Sequence, residues 1–593
     1  MRKAFLTGVA VCALLSSFTA SVPSPPPADN DQRLAALFDA YWEKNNRLFP
    51  LSATSQGDNR YNDQLPNDQT QVYRDSLRAF YQGYLGKLNG FNRNQLSDTD
   101  KISYDIFQYK LQTELSGLKL NTWMTPFKQF WGLPISFVQL GSGQGAQPFK
   151  TVQDYDNWLL RAKRFPVWAD SAISNFRRGA KAGVVLPKAL VLKMIPQAQA
   201  LVVSDATKSV FYGPINKLPA GISAAERQRL TAAYQQLILT DIGPTYKKLG
   251  DFLQNEYLPQ ARTTTGLADV PGGPALYAYY TKLWTTTDKT PAEIYQTGLS
   301  EVKRIRAEME RVKTQVGFKG DLPAFFAYMK TDPKFMPYKS AEEVLTAYRG
   351  IQARIAPALP KYFSLMPKSA FEIRQTEAFR AASASAEYNR AAADGSRPGI
   401  FYVPILDAAK FTTPGMESLF LHEAIPGHHF HISLQQENTA LPKFRRFGGY
   451  SASSEGWALY TESLGKELGV YTDPYQYMGA LSNEIHRAIR LVVDVGMNTK
   501  GLTREQAIKY MMDNEAINEQ KSTAEIERYM AIPGQALSYK IGQLKIQELR
   551  DKYKKQLGAK FSLRAFHDEF LKDGIMPLAV LERKMDAWAA AQK

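Results

Sequence analysis

Four of the six histidines in this 593-residue chain fall within ten positions. They are His422, His428, His429 and His431, in the stretch "LFLHEAIPGHHFHIS" from Leu419 to Ser433. His422 followed by Glu423 matches the opening of the H-E-x-x-H zinc helix, where histidines at i and i+4 share a face and the glutamate acts as base. Here position i+4 is Pro426, and the next histidine is His428 at i+6. Six residues of ideal helix leave two side chains about 120° out of alignment. Such a pair could not chelate one ion. Proline lacks the N–H owed to the carbonyl of residue 422, and its ring clashes there. Gly427 tolerates the unusual dihedrals that follow. The segment is therefore expected to widen or break, which would return His428 to the side of His422. His429, at i+7, is the rival second ligand on an undistorted helix; the proline favours His428. His431 is read as an accessory or packing residue. Histidines serving only as polar packing at a helix break would explain one of them better than four beside a glutamate.

A catalytic zinc needs three protein ligands and one open position. The one cysteine, Cys12, lies in the leader, so the third ligand should be His, Asp or Glu, and thiol chemistry and disulfides are excluded from the mature protein. Downstream lies "SSEGWALYTES", Ser453–Ser463. The 27 residues from His428 to Glu455 suffice to finish one helix, turn and return antiparallel. Trp457, Tyr460, Leu464 and Leu468 would form the packed face of that returning helix, with Glu455 off the stripe as the candidate third ligand. Glu462, at i+7 from Glu455, is a candidate for orienting a histidine from behind. A solvated helix face is the plainer reading of both glutamates.

The elements needed to hold these residues read as helices. "TPAE" at Thr290 offers an N-cap threonine, a first-turn proline and a glutamate placed to close a capping box. "SAAE" at Ser223, "SAEE" at Ser340 and "TREQ" at Thr503 repeat the pattern. After Thr290, Ile294, Leu299, Val302, Ile305 and Met309 fall at helical spacing. Strand signals are few; the best is "GIFYV", Gly399–Val403, whose flanking Pro398 and Pro404 suggest a short or edge strand. The expected fold is mainly α with a small sheet.

Arg2 and Lys3, an apolar run to Phe18 and small residues at Ala20 and Ser21 read as a signal peptide, residues 1–21, followed by a Pro-rich linker at 22–30. The expected location is periplasmic or secreted. Lipid attachment at Cys12 is disfavoured by Val11 before it, and no further run is long and apolar enough to span a membrane. A break near residue 270 would divide the remaining chain into an N-terminal lobe, 31–270, and a catalytic lobe, 271–593. Composition is that of a folded globular protein, 44% hydrophobic and 22% charged. The net charge of +16 is scattered rather than clustered, which fits a solvated basic surface and not a nucleic-acid partner.

"HEAIPGHH" together with "EGWALYTE" resembles the bacterial domain-of-unknown-function family 885. The likeness extends through "GDNRYNDQLP" at Gly57, "FPVWADSAISNFRRG" at Phe165, "PGGPALYAYY" at Pro271 and "TTTDKTPAEIYQTGL" at Thr285. It continues in "RPGIFYV" at Arg397, "RLVVDVGMNTKGLTREQAIKYM" at Arg490 and "PGQALSYKIG" at Pro533. That family is similar to the helical glutamate-zincin peptidases of the thimet oligopeptidase and angiotensin-converting enzyme type. The resemblance implies two helical lobes around a deep cleft, His422, His428 and Glu455 as zinc ligands, Glu423 as general base and short peptides as substrates. It also implies a tyrosine or histidine from a later helix as oxyanion donor; the candidates are Tyr539 and Tyr529, with Tyr539 preferred. Substrate contacts are expected from Tyr529, from Arg528, and from Tyr402 if "GIFYV" accepts a peptide as an added strand. Arg487, Arg490 or Arg528 could hold a substrate carboxylate, although Arg490 and Asp494 at i,i+4 suit a structural ion pair. Asn498, where histidine is expected, and His486 before Arg487 depart from the pattern. Two alternatives stay beside the peptidase: a zinc- or peptide-binding protein without catalysis, and a zinc amidohydrolase acting on a non-peptide amide.

Overall fold

A computed structural model describes residues 28–377, 385–391 and 397–592. Residues 1–21, expected to form a signal peptide, and most of the expected linker at 22–30 lie outside these residues. The first helix, Ala28–Leu48, begins before the linker was expected to end. Among the described residues no helix is long and apolar enough to cross a membrane.

The chain is mainly helical, and its helices start where the capping chemistry says they should. Thr290 accepts from the Glu293 N–H while Glu293 reaches back to the Thr290 N–H, with Pro291 opening the helix Pro291–Gln315. Thr503 and Gln506 close the same reciprocal pair before the helix Arg504–Asn514. At Ser223 and Ser340 only half of the box forms: each serine accepts from the glutamate three residues on. Glu343 instead takes the N–H of Lys339. The buried stripe of the Pro291–Gln315 helix runs through Ile294, Gly298, Val302, Ile305 and Met309. Leu299 is off it and 36% exposed. Gly298 takes that place because the helix Pro474–Lys500 crosses there: an added Cβ would lie 2.8 Å from Leu491 Cβ and 2.9 Å from Val492 Cγ2.

A small sheet completes the fold. Strands β1 (Phe371–Gln375), β2 (Glu387–Asn389) and β3 (Gly399–Val403) are ordered β1-β3-β2. β1 runs parallel to β3 with Phe371 opposite Gly399, and β2 runs antiparallel to it with Tyr388 opposite Phe401. "GIFYV" is thus the central strand, not an edge. Its flanking prolines fall just outside the ladder and remove no bond from it, while Ile400, Phe401 and Val403 are buried. Both sides of β3 are already paired, so no peptide can add to it, and the substrate contact expected of Tyr402 by strand addition is withdrawn.

The hydrophobic cores do not follow a division at residue 270. Leu34, Phe38, Tyr41, Phe80 and Phe107, from the helices Ala28–Leu48, Gln71–Asn89 and Asp98–Gly117, share one core with Phe420, Leu421, Phe430, Trp457 and Tyr460. Phe444 seals the junction, 4.8 Å from Phe38 and 5.0 Å from Phe107 between ring centroids. A second core is built from residues between Leu65 and Tyr257. Burying these N-terminal aromatic rings against the C-terminal core removes their apolar surface from water. Close to the candidate site, the helix Ser451–Glu462 lies against the helix Leu537–Leu557. Gly456 and Gly542 permit the approach: a Cβ on Gly456 would sit 2.5 Å from Gly542 Cα. Ser451 and Ser538 share a hydroxyl bond of 2.8 Å at the starts of the two helices. This brings Tyr539 and Glu455 onto neighbouring helices.

Candidate metal centre

The histidine segment breaks as its proline requires. One helix, Met416–Glu423, carries His422 and ends at Ala424; the next, His428–Glu437, opens with His428. Between them the Ile425–Pro426 peptide is cis. Gly427 passes so close to the end of the first helix that a Cβ would collide with the carbonyl oxygens of Leu421 and His422. Glycine is needed here for close approach of backbone to backbone.

The Ser451–Glu462 helix returns antiparallel across the break, as three contacts in descending register show. Thr461 Oγ1 donates to the Leu421 carbonyl (2.9 Å), Trp457 Nε1 donates to the Pro426 carbonyl (2.8 Å), and Glu455 Oε2 lies 3.3 Å from His428 Nε2. Trp457, Tyr460, Leu464 and Leu468 are all buried, but the helix ends at Glu462, so the two leucines lie in the turn beyond it, and Ala458, Leu459, Thr461 and Glu462 are buried as well. Glu455 Oε2 also lies 3.6 Å from His422 Nε2. One ligand atom from each of His422, His428 and Glu455 falls within 4.8 Å of the other two. Ligands about 2.0–2.1 Å from a tetrahedral zinc stand about 3.3 Å from one another, so these residues fit such an ion. The donor set, two imidazoles and one carboxylate, leaves a fourth position free for water.

Behind the triad, Glu462 is buried, with Oε1 2.8 Å from His422 Nδ1. Its Oε2 accepts from Ser418 Oγ (3.1 Å), and Ser418 Oγ accepts from Asn483 Nδ2 (2.6 Å). With a metal bound, this chain would keep the His422 proton on Nδ1 and leave Nε2 free as a donor atom on the side of Glu455 and His428. Ser418, one turn before His422, was not singled out from sequence; its i−4 position is the signal that could have found it. His428 Nδ1 is buried with no hydrogen-bond partner among the described residues. Glu462 also reaches a cavity of about 440 Å³ beyond the triad, where buried Lys540 pairs with Glu484 (2.7 Å) and Glu301 (2.9 Å).

The electrostatics follow from burial and crowding. Burial opposes ionisation of His422, but hydrogen bonds to Glu455 and Glu462 overcome it and raise its pKa from 6.5 to about 9. Burial likewise opposes ionisation of Glu455, and His428 and His422 reverse this, holding its carboxyl well below the usual range. Glu423 is raised by burial, partly offset by His422 and His428. A carboxylate with a raised pKa suits a base that must take and return a proton. His429 turns elsewhere: its Nδ1 lies 2.9 Å from Tyr388 OH, its ring lies 4.6 Å from Phe371, and burial lowers its pKa to about 4. His431 is buried between Trp457 and Phe570, and burial lowers it to about 3. Of the two rival second ligands, the geometry groups His428 with His422 and Glu455.

Tyr539 stands within electrostatic reach of Glu455, and its pKa is raised by burial and then by that carboxylate. Arg490 stacks over its ring at 4.6 Å. Tyr529 is fully buried, accepts from Arg490 Nε at 2.9 Å and donates to Glu525. Arg528 bonds Glu525 (3.0 Å) and Gln535 (2.7 Å). These bonds tie Tyr529 and Arg528 into a protein network and leave Tyr539 the better placed tyrosine. Arg490 does not pair with Asp494. Asp494 instead accepts from Tyr277 OH (2.7 Å) and from the Gly534 N–H (3.0 Å), anchoring the turn that leads to Tyr539. Asn498 is buried nearby, accepting from the Leu267 N–H (3.1 Å) and donating to the Asp494 carbonyl (2.9 Å). It is a packing residue outside the triad. His486 is paired with Glu515 at 2.8 Å.

A family model described as "Bacterial protein of unknown function (DUF885)" matches residues 50–585. Two solved structures, each described as a "putative lipoprotein", are similar in fold. One, from Colwellia psychrerythraea, is 29% identical, with a TM-score of 0.87 over 95% of this chain and 100% of its own. The other, from Shewanella oneidensis and described as of unknown function, is 19% identical, with a TM-score of 0.72 over 93% and 99%. No curated protein matches the chain significantly. Both descriptions stand against the expectation that lipid anchoring is disfavoured, which is not carried forward; Cys12 lies outside the described residues.

Proposed function

The chain belongs to the bacterial DUF885 family, and on that footing we propose that it is an exported zinc-dependent peptidase that hydrolyses short peptides, with Glu423 as general base. The observation that carries this reading is the convergence of His422, His428 and Glu455 beside a buried glutamate that makes no hydrogen bond or ion pair among the described residues. A bound zinc ion would supply a polarising charge and a water acidified toward neutral pH. Everything else is the work of the chain. Glu462 keeps the His422 proton on Nδ1, which leaves Nε2 free as a donor atom. Glu423 takes a proton from the attacking water and returns it to the leaving amine. Tyr539 OH donates to the oxygen on which negative charge develops, a contribution of about 2.7–4 kcal/mol for one such donor. Its raised pKa keeps that proton in place at neutral pH.

The test is digestion of a short-peptide library by the zinc-loaded protein, read by mass spectrometry, beside the Glu423→Gln variant. Cleavage at peptide bonds by the wild type, lost in a variant that keeps its zinc, supports the proposal. Zinc bound in both with no turnover in either would make this a binding protein, and turnover restricted to non-peptide amides would make it an amidohydrolase.

A further inference from the structure

A guanidinium inside a protein is ordinarily matched by a carboxylate. The helix Pro474–Lys500 carries two arginines one turn apart near the triad, and they differ in this respect. Arg490, 7% exposed, meets Glu525 Oε2 at 3.2 Å and His486 Nε2 at 3.1 Å through Nη2, while its Nη1 is buried without a partner. Arg487 has no ion pair among the described residues. Among the described residues its guanidinium makes one hydrogen bond, from Nη1 to the Asn483 carbonyl one turn back (3.0 Å), and its buried Nε has no partner.

The surrounding charge cannot supply what Arg487 lacks. Glu525 Oε2 is already shared by Arg490, Arg528, Tyr529 and His486. Glu515 is taken by His486. Arg487 acts on Glu423 across space, yet no hydrogen bond or ion pair joins the two. A half-buried cation thus lies within electrostatic reach of the candidate base, and no ion pair among the described residues matches its charge. Asn483 fixes it there, since the same residue donates to Ser418 in the chain behind His422.

We infer that Arg487, backed by Arg490, binds a carboxylate of the substrate. This rests on the peptidase reading and narrows it to peptides with a carboxylate close to the cleaved bond. The planar fork of arginine matches a carboxylate with two parallel bonds, and the partly buried setting strengthens them. Both a free C-terminus and an acidic side chain present this chemistry.

The test is binding by calorimetry to the full-chain Glu423→Gln protein with zinc added. The probes are trialanine, its C-terminal amide, and an amidated tripeptide carrying one glutamate. At least one carboxylate-bearing probe should bind at least about tenfold more tightly than the neutral amide, as one bidentate charged contact gives. If trialanine alone is favoured, the group recognised is the C-terminus; if only the glutamate peptide is, it is a side chain. Adding Arg487→Gln should bring the ratio close to one, and Arg487→Lys should restore part of it. Circular dichroism and zinc content show that the variants fold. An equal affinity for all three probes, or a preference that survives Arg487→Gln, overturns the inference. Carboxylate-selective binding without peptide turnover by the wild type would sink the peptidase reading alone. Equal kcat/KM on acids and amides would sink this inference alone.

Discussion

Glu462→Gln is the most informative single change, because it alters one charge behind His422 and almost no volume. Both Glu462 oxygens accept: Oε1 faces His422 Nδ1 at 2.8 Å, and Oε2 takes the Ser418 hydroxyl proton at 3.1 Å. Ser418 cannot reverse its role without cost, since its oxygen already accepts from Asn483 at 2.6 Å. A glutamine therefore satisfies one side and sets donor against donor on the other. The bond lost or neutralised is buried and charge-assisted, worth about 1.5–3 kcal/mol. That corresponds to a loss of about 10- to 150-fold in zinc affinity, in line with the usual cost of removing a residue that orients a metal-binding histidine. The assay is competition for zinc against a chelator of known affinity at fixed pH, with circular dichroism confirming the fold. Ser418→Ala, which removes only the neutral hydroxyl, should cost less than Glu462→Gln. Zinc affinity within threefold of wild type in Glu462→Gln would refute the reasoning, because His422 would then need no anionic partner.

Tyr539→Phe should lower kcat by about 10²–10³ while zinc content stays unchanged, if Tyr539 stabilises the developing oxyanion; steady-state kinetics on a cleaved peptide would show it. Gly427→Ala should destabilise the protein by at least about 1–3 kcal/mol and weaken zinc binding, because the added methyl meets two backbone carbonyls that cannot move independently; thermal melting and zinc titration read the two effects. In the zinc-free protein, His422 is raised from 6.5 to about 9, so its bonds to Glu455 and Glu462 contribute stability that is fully present below about pH 6.5 and lost as pH rises through about 9. The Tm of chelator-treated protein should fall across that window. A flat profile would show that His422 is not held as the cation.

Much of the site was legible because its determinants are local. Pro426 and Gly427 dictate a break, the 27-residue gap allows an antiparallel return, and the apolar residues from Trp457 to Leu468 are buried, although the helix ends at Glu462 and is covered on nearly every side. The threonine caps at Thr290 and Thr503 were legible for the same reason. What failed depended on residues far away in the chain. β3 looks like an edge until β1 and β2 arrive from about 10 to 30 residues upstream. Arg490 and Asp494 have the spacing of a helix pair, but Glu525 and Tyr529 claim the first while Tyr277 and Gly534 claim the second. The cores do not separate at residue 270, because aromatic residues between Leu34 and Phe107 pack against Phe444 and its neighbours, a partnership that no local pattern encodes.

The central claim is that His422, His428 and Glu455 hold one divalent ion. Zinc content after equilibration and dialysis, measured by inductively coupled plasma mass spectrometry, tests it most directly. The wild type should retain one zinc per chain, and His422→Ala, His428→Ala and Glu455→Ala should each retain almost none while keeping wild-type helical circular dichroism. A folded wild type that retains no zinc, or variants that retain it in full, would contradict the account.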